Sequence, residues 1–339
     1  MSERAPVRVG IIGAGAISQV VHLPILTERP DVDVVALADA DVHKAETLSR
    51  RFDVPVVIDA NDLLCFDEVD ALVLCTPNHL HADMAVTALE SGRNILVERP
   101  LASTSSGARR VVEAAEKSGC ILSVGMPHRF RPEVAALRSF VEGGELGQVF
   151  AARASWLTRQ LPGQRTSWRS DREIAGGGAL IDLGISALDL CLWSLGFPEV
   201  TRVSCALAGD GDAVEHSGTL MLQTGTGIVI SVEVSNRLFA SEDRYYLRVM
   251  GAEGSVSIPP LEVFKLVGGR PMEVTPRQPR PQGGENLYTN AYRRLLDAWI
   301  RSLHGIAESE IPREQIALMK IIEAAYRSAE SGVEVELDG

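Results

Sequence analysis

The sequence predicts an α/β protein: an N-terminal Rossmann-type, doubly wound parallel sheet, then a C-terminal α/β domain with a large, mostly antiparallel open sheet. Three observations carry that prediction. Apolar runs alternate with amphipathic stretches through the first third of the chain, the first run breaks at a Gly-Ala-Gly turn, and after Val124 strand-like runs follow one another across short turns.

The first domain is read as residues 1–124. Val7–Ile12, Val34–Ala38, Val56–Ile58, Ala71–Cys75, Ile95–Val97 and Ile121–Val124 read as buried parallel strands. Helical patterns lie between them. Ala82–Glu90 is stopped by Ser91-Gly92, and Gly107–Lys117 by Ser118-Gly119. The second domain is read as 125–339. A helix around Leu180–Trp193 precedes most of its strands, which are Phe150–Thr158, Val203–Leu207, His216–Gln223, Gly227–Ser235, Tyr245–Met250 and Val263–Val267. Thr224-Gly225-Thr226-Gly227 reads as a hairpin turn. Pro271–Gly284 is rich in Pro, Gly and Arg and reads as a linker, with Arg277–Arg280 a solvated basic cluster. Two helices, 287–304 and 313–330, close the chain and are expected to pack back on the first domain. Tyr292, Leu295, Leu296, Trp299, Ile300 and Leu303 form the apolar stripe of one, and Ile316, Met319, Ile322 and Tyr326 that of the other. Trp193 and Trp299 read as core.

Composition narrows the class. At 339 residues the chain exceeds one compact core, and 45% hydrophobic with 23% charged residues is ordinary for a globular protein rather than a disordered one. A net charge of −12 argues against nucleic acid, whose phosphates need a basic face. No apolar run is read as long enough to span a membrane, and no secretory leader is read at the N-terminus. The five cysteines, Cys65, Cys75, Cys120, Cys191 and Cys205, are odd in number and widely spaced, which fits free thiols in a reducing cytoplasm and no metal site.

The glycine turn is the first chemical signal. Gly13 permits a tight turn, and Gly15 lets the backbone approach a pyrophosphate at the start of the helix that Ala16 and Ile17 open. The third position is Ser18 instead of Gly or Ala. Asp39 ends the second strand, where a carboxylate accepts hydrogen bonds from both adenosine ribose hydroxyls and repels a 2′-phosphate. The expected cofactor is therefore NAD, with NADP disfavoured. FAD or S-adenosylmethionine on a similar turn is the alternative.

Further motifs resemble the Gfo/Idh/MocA family, named for glucose–fructose oxidoreductase, inositol dehydrogenase and a rhizopine-catabolism protein. They are Cys75-Thr76-Pro77-Asn78-His79-Leu80-His81, Glu98-Arg99-Pro100-Leu101, Trp168-Arg169, the Gly176-Gly177-Gly178…Asp182-Leu183-Gly184 segment, and the closing Ala324–Gly332 run. The resemblance implies an NAD(P)-dependent oxidoreductase acting on a sugar, polyol or related small molecule, with its active site between the domains. It also implies dimers or tetramers associating through the C-terminal sheet. By similarity, Thr76, Pro77, Asn78, His81, Glu98 and Arg99 line the cofactor, while Trp168 and Arg169 flank its nicotinamide end.

Two positions depart from the family pattern. Arg99 stands where the family carries a lysine, and Ser186 where it carries a catalytic histidine. Arginine stays protonated, so it can orient an oxygen or carboxylate but cannot exchange a proton. A serine hydroxyl needs another base to activate it. As a clamp, Arg99 favours a carboxylated or phosphorylated substrate. Asp182 is the leading acid–base candidate, on the expectation of a buried carboxylate whose pKa desolvation raises. His128, after the sixth strand, is the second, with a surface loop as its bland reading. Asp189 reads as structural. His22 reads as a packing residue that could alternatively face the cofactor cleft. The leading function is interconversion of a hydroxyl and a carbonyl on a sugar-, polyol- or hydroxy-acid-like molecule. The alternatives are an NAD-retaining lyase or hydrolase using transient oxidation, and a non-catalytic cofactor-binding sensor.

Overall fold

The computed structural model describes residues 5–159, 168–210, 214–277 and 286–337. It divides into two compact units, Met1–Pro127 with Tyr288–Ile316, and His128–Leu287 with Ala317–Gly339.

The first unit holds a six-stranded sheet of β1 (Val7–Ile12), β2 (Val32–Ala38), β3 (Val56–Val57), β4 (Ala71–Leu74), β5 (Asn94–Glu98) and β6 (Leu122–Gly125). Their order is β3-β2-β1-β4-β5-β6, every pair parallel. The expected strands are all present. The order reverses beside β1, so the carboxyl ends of β1 and β4 flank the crevice where such sheets bind ligands. Apolar continuity explains the burial: Val9, Ile11, Ile12 and Ala71–Leu74 have at most 1% of their surface exposed. The helix Ser105–Ser118 is capped by Thr104, whose hydroxyl accepts the Gly107 N–H at 3.1 Å, and ends on left-handed Gly119. The helix Asn78–Glu90 starts one turn earlier than its apolar pattern suggested, because Pro77 ends the preceding loop and Asn78 and His81 are drawn inside. The helix Leu287–Leu303 belongs to this unit and buries Tyr292, Leu295, Leu296, Trp299 and Ile300.

The second unit holds a nine-stranded sheet: β7 (Val149–Arg159), β8 (Val200–Ala208), β9 (Ser217–Thr224), β10 (Val229–Leu238), β11 (Arg244–Gly251), β12 (Gly254–Ile258), β13 (Glu262–Val267), β14 (Arg270–Glu273) and β15 (Val335–Glu336). The order is β14-β13-β12-β11-β7-β10-β9-β8-β15, antiparallel except for the pair β7–β10. The hairpin at Thr224–Gly227 forms as expected, with the Gly227 N–H donating to the Thr224 carbonyl. Strict alternation on β9 puts Leu220 and Leu222 inside and leaves Met221 exposed.

Three strands escaped the sequence pattern. β14 is exposed at every residue and β15 has only two, so neither shows a hydrophobic period, while the serines of β12 blur its alternation. Arg270–Glu273 therefore corrects the linker reading at its first residues; 278–285 lies outside the described residues. Trp193 is half-buried with the Arg138 guanidinium 4.0 Å from its ring, so it is a cation–π partner and not core. The continuous stretch Arg172–Ser194 also corrects the reading that no run approaches a membrane span, since its length and composition would suffice. Its apolar 18-residue window is instead 83% buried within the protein, packed into the core of this unit.

Candidate active site

The turn after β1 is held from three sides. The Gly13 N–H donates to the Ala38 carbonyl at 2.7 Å, extending the β1–β2 pairing, and Gly13 has φ +103°. A Cβ there would lie 2.5 Å from the Cys75 carbonyl oxygen, so only glycine lets the turn pass β4. The Ser18 hydroxyl, fully buried, donates to the Gly13 carbonyl, and the Gln19 amide donates to that of Ala14 at 3.0 Å. Ser18 at the third fingerprint position thus ties the turn, a role glycine could not supply. Asp39 closes the third side. One carboxylate oxygen accepts the Ala14 N–H at 2.6 Å and the other the Asp41 N–H at 2.9 Å, with the Lys44 ammonium 4.0 Å away. A carboxylate offers about four lone-pair sites. Two remain, one on each oxygen, which is the donor count a ribose diol presents.

The surroundings fit a dinucleotide. Nothing lies within 4 Å of a Cβ placed on Gly15, and Ala16 and Ile17, at the opening of the helix, are exposed and half-exposed. The Thr76 hydroxyl at the end of β4 is buried without a hydrogen-bond partner among the described residues, and so is available to a ligand polar group. His81 is held within the protein. It is 1% exposed, and its ring nitrogens face the Pro100 carbonyl at 2.6 Å and the Thr76 carbonyl at 2.8 Å. It sits between the loop after β4 and the loop after β5; burial pushes its pKa down, and as a neutral imidazole it donates to only one of these carbonyls.

Glu98 turns inward too. One carboxylate oxygen lies 2.8 Å from His22 Nε2, and the other accepts the Tyr292 hydroxyl at 3.0 Å. Its carboxylate lies against Gly125, where a Cβ would come within 2.8 Å of it. His22 is wholly buried and packs edge-on to Tyr292, with ring centroids 5.5 Å apart. Burial alone would lower the imidazole, but Cys75 and Glu98 outweigh it and raise it to about 10. The remaining ring nitrogen has no hydrogen-bond partner among the described residues, so the 2.8 Å bond to Glu98 is the firmer cause. Glu98 is held below the usual carboxylate range by His22, against the opposing effect of burial. The pair is an imidazolium–carboxylate ion pair, which fits the packing reading of His22. Arg99, half-exposed, acts electrostatically on both Glu98 and Tyr292.

In the second unit Trp168, Arg169 and Asp182 come together. The Arg169 guanidinium lies 4.4 Å over the Trp168 ring, and its Nε is 3.6 Å from the Asp182 carboxylate. Asp182 is not the buried carboxylate that was expected. Its side chain is 37% exposed, because the wide π-helical turn Leu180–Gly184 carries it outward while Leu180, Ile181 and Leu183 turn in. His128 departs from the surface-loop reading: it is 7% exposed, with its ring 4.4 Å from that of Trp156. Asp189 is structural as read, 2% exposed and gripped in a two-pronged contact by Nε and Nη2 of Arg129. Ser186 is 3% exposed, and its hydroxyl has no hydrogen-bond partner among the described residues, so no base stands beside it there.

Sequence reasoning missed Glu215. This residue is 3% exposed, and its carboxylate accepts the N–H groups of Gly178 at 2.8 Å and Leu180 at 3.0 Å, and the Tyr326 hydroxyl at 2.9 Å. The three glycines were the only available signal, since they mark a close backbone approach without naming the partner.

Residues 7–126 match the Gfo/Idh/MocA oxidoreductase family, NAD-binding Rossmann fold, and residues 134–257 match the Gfo/Idh/MocA C-terminal domain. The chain is 30% identical to a dTDP-3,4-didehydro-2,6-dideoxy-alpha-D-glucose 3-reductase of Streptomyces antibioticus, across 66% of this chain and 67% of that one. It belongs to the Gfo/Idh/MocA oxidoreductase family. Another relative in sequence is D-glucoside 3-dehydrogenase of Escherichia coli (strain K12), 29% identical across 98% of both chains. Among solved structures, that of GenD2 from gentamicin A biosynthesis in complex with NAD is 27% identical. It aligns with a TM-score of 0.85 over 99% of this chain and 97% of that one. Family membership accounts for the parallel sheet with its glycine turn and for the broad mixed sheet together.

Proposed function

We propose that the protein is an NAD-dependent dehydrogenase or reductase interconverting a hydroxyl and a carbonyl on a sugar-, polyol- or hydroxy-acid-like molecule. The observation that carries this is the Asp39 carboxylate bonded to the glycine turn at 2.6 Å, with one lone pair left on each oxygen. Gly13 makes the turn, Gly15, Ala16 and Ile17 hold the diphosphate with backbone amides, Asp39 holds the adenosine ribose, and Thr76, Pro77 and Asn78 line the cofactor beyond it. Bound NAD supplies the hydride acceptor, and NADH the donor.

Chemistry on the substrate falls to this chain's side chains. Arg99 orients the reacting oxygen through its fixed fork and stabilises negative charge there, but holds its proton throughout. Asp182 takes or returns the hydroxyl proton, directly or through a water, with Trp168 and Arg169 beside it. His128 is the second candidate for that proton. The proposed substrates follow the relatives, which act on D-glucosides and nucleotide-linked deoxysugars. We further propose a cytoplasmic protein, consistent with five free cysteines. It would associate as a homodimer or homotetramer through the open face of the nine-stranded sheet, where Met221, Val229, Phe264 and Leu266 are exposed. No nucleic-acid or membrane partner is proposed.

Fluorescence titration with NADH and NADPH tests the cofactor assignment. Saturable NADH binding, tighter than NADPH, is expected; no affinity for either refutes the proposal. A screen of methyl D-glucosides, myo-inositol and D-xylose with NAD⁺ at 340 nm tests the reaction, and absence of NADH formation with any of them refutes the dehydrogenase reading for this substrate class.

A further inference from the structure

Three consecutive glycines and one distant glutamate decide where the Asp182 turn sits. Gly176 is left-handed, with φ +84°, and ends the short helix Arg172–Ala175. Gly177 has φ +153°, and a Cβ there would lie 1.9 Å from the Tyr326 hydroxyl. A Cβ on Gly178 would lie 2.0 Å from the Glu215 carbonyl oxygen. The backbone therefore threads a gap that only glycine can pass, between Tyr326 on the helix Glu314–Ser331 and the segment leading into β9.

Beyond that gap a helical stretch begins without a cap of its own, because Ala179 offers no side-chain acceptor. Glu215 takes over the task entirely. Its carboxylate oxygen Oε1 accepts the Gly178 and Leu180 N–H groups, and its backbone carbonyl accepts the Ala179 N–H at 2.8 Å. Three successive first-turn amides thus end on one residue some 35 positions away in sequence. The Tyr326 hydroxyl donates to the same oxygen. Burial and the Glu215 carboxylate push that hydroxyl's pKa far above its usual value, so it remains a donor at any working pH. Asp182 follows at once: its N–H donates to the Gly178 carbonyl at 3.0 Å, and its carboxylate faces Arg169.

One polar atom of Glu215 stands apart from these bonds. Glu215 Oε2 is buried and has no hydrogen-bond partner among the described residues. Oε1 takes both amides and the Tyr326 hydroxyl, so Oε2 is the one carboxylate atom that the cap leaves over.

We propose that Glu215 is a positioning residue for the reaction, fixing through Gly178–Leu180 the turn that sets Asp182 at Arg169. This rests on the reading of Asp182 as the proton-transferring group. The experiment uses the full-length protein and the most active compound of the glucoside, inositol and xylose screen. Glu215→Asp keeps the charge and the backbone carbonyl that takes the Ala179 N–H, but is one methylene too short to reach the Gly178 and Leu180 amides and the Tyr326 hydroxyl. It should lower kcat about tenfold or more, shift the pH–rate profile, and leave NADH affinity within twofold. Glu215→Gln keeps the acceptor oxygen and should recover turnover to within about threefold. Hydrogen exchange at 178–184 should quicken in Glu215→Asp and return toward the wild-type rate in Glu215→Gln, and this readout needs no substrate.

A structural role alone would lower the melting temperature while leaving kcat per folded molecule and the pH profile unchanged, and that result overturns the proposal. So does Glu215→Gln behaving as badly as Glu215→Asp, since charge and not acceptor geometry would then matter. Asp182→Asn distinguishes the two levels. If it turns over normally, the acid–base reading falls and takes this proposal with it. If it is inactive while Glu215→Asp is normal, only the positioning role falls.

Discussion

Removing the His22 imidazole tests the electrostatics of the first unit. Glu98 is 8% exposed, and His22→Ala leaves its carboxylate with only the Tyr292 hydroxyl and the nearby Arg99 charge to compensate it. Breaking a buried ion pair on one side costs about 3–5 kcal/mol. In a unit of roughly 150 residues each kcal/mol moves the melting temperature by about 2–4 °C, so a fall of roughly 6–20 °C is expected at pH 7. The pH dependence gives a sharper check. His22 is raised from 6.5 to about 10, so its contribution is fully present below 6.5 and is lost as pH rises through about 10. Glu98 is held below 4.5, so its contribution is present above 4.5 and is lost as pH falls through its lowered pKa. The gap between wild type and His22→Ala should therefore be widest near pH 6 and narrow toward pH 10. Thermal unfolding followed by circular dichroism from pH 4 to 10 measures it. A variant melting within 2 °C of wild type at pH 7, or a gap that stays flat between pH 6.5 and 10, would refute the ion pair.

Four further outcomes are expected. Asp39→Ala should narrow the preference for NADH over NADPH, read by fluorescence titration, and an unchanged ratio would count against ribose contact. Asp182→Asn should lower kcat by 10²-fold or more with KM little changed, the size expected for a lost general acid or base, measured by initial rates at 340 nm. Gly178→Ala places a methyl 2.0 Å from the Glu215 carbonyl and should cost about 1–3 kcal/mol or more in urea unfolding; wild-type stability would show that the gap can widen freely. Ser186→Ala removes a buried hydroxyl that has no hydrogen-bond partner among the described residues, so stability should hold or rise by up to about 1 kcal/mol while turnover persists. A large fall in kcat there would return Ser186 to the mechanism.

Local chemistry that repeats along the chain was legible before any coordinates. Six apolar runs punctuated by glycine announce a parallel sheet, since both faces of each strand must be apolar. Gly13, Gly15 and Asp39 announce a cofactor, because turn geometry and a terminal carboxylate are properties of a short stretch. The Thr224–Gly227 hairpin was legible for the same reason. The exposed edge strand Arg270–Glu273 was not, having no hydrophobic face to leave a period. Nor could sequence distinguish a carboxylate facing a ligand from one facing an internal partner. Glu98 and His81 read as lining the cofactor; within the protein Glu98 meets His22 and Tyr292, and the His81 ring lies between two backbone carbonyls. Asp182 read as buried, yet a widened helical turn leaves it partly in solvent.

What the sequence by itself determined is therefore the fold class, the glycine turn and its acidic strand-end partner, each written in neighbouring residues. Only the tertiary structure decided which distant groups share a charge or a hydrogen bond: His22 with Glu98 and Tyr292, and Glu215 with Gly178, Leu180 and Tyr326. The physical reason is range. Backbone preference and hydrophobic period act over a few residues, whereas a buried carboxylate is satisfied by whatever donors folding brings within about 3 Å, however far away they lie in the chain.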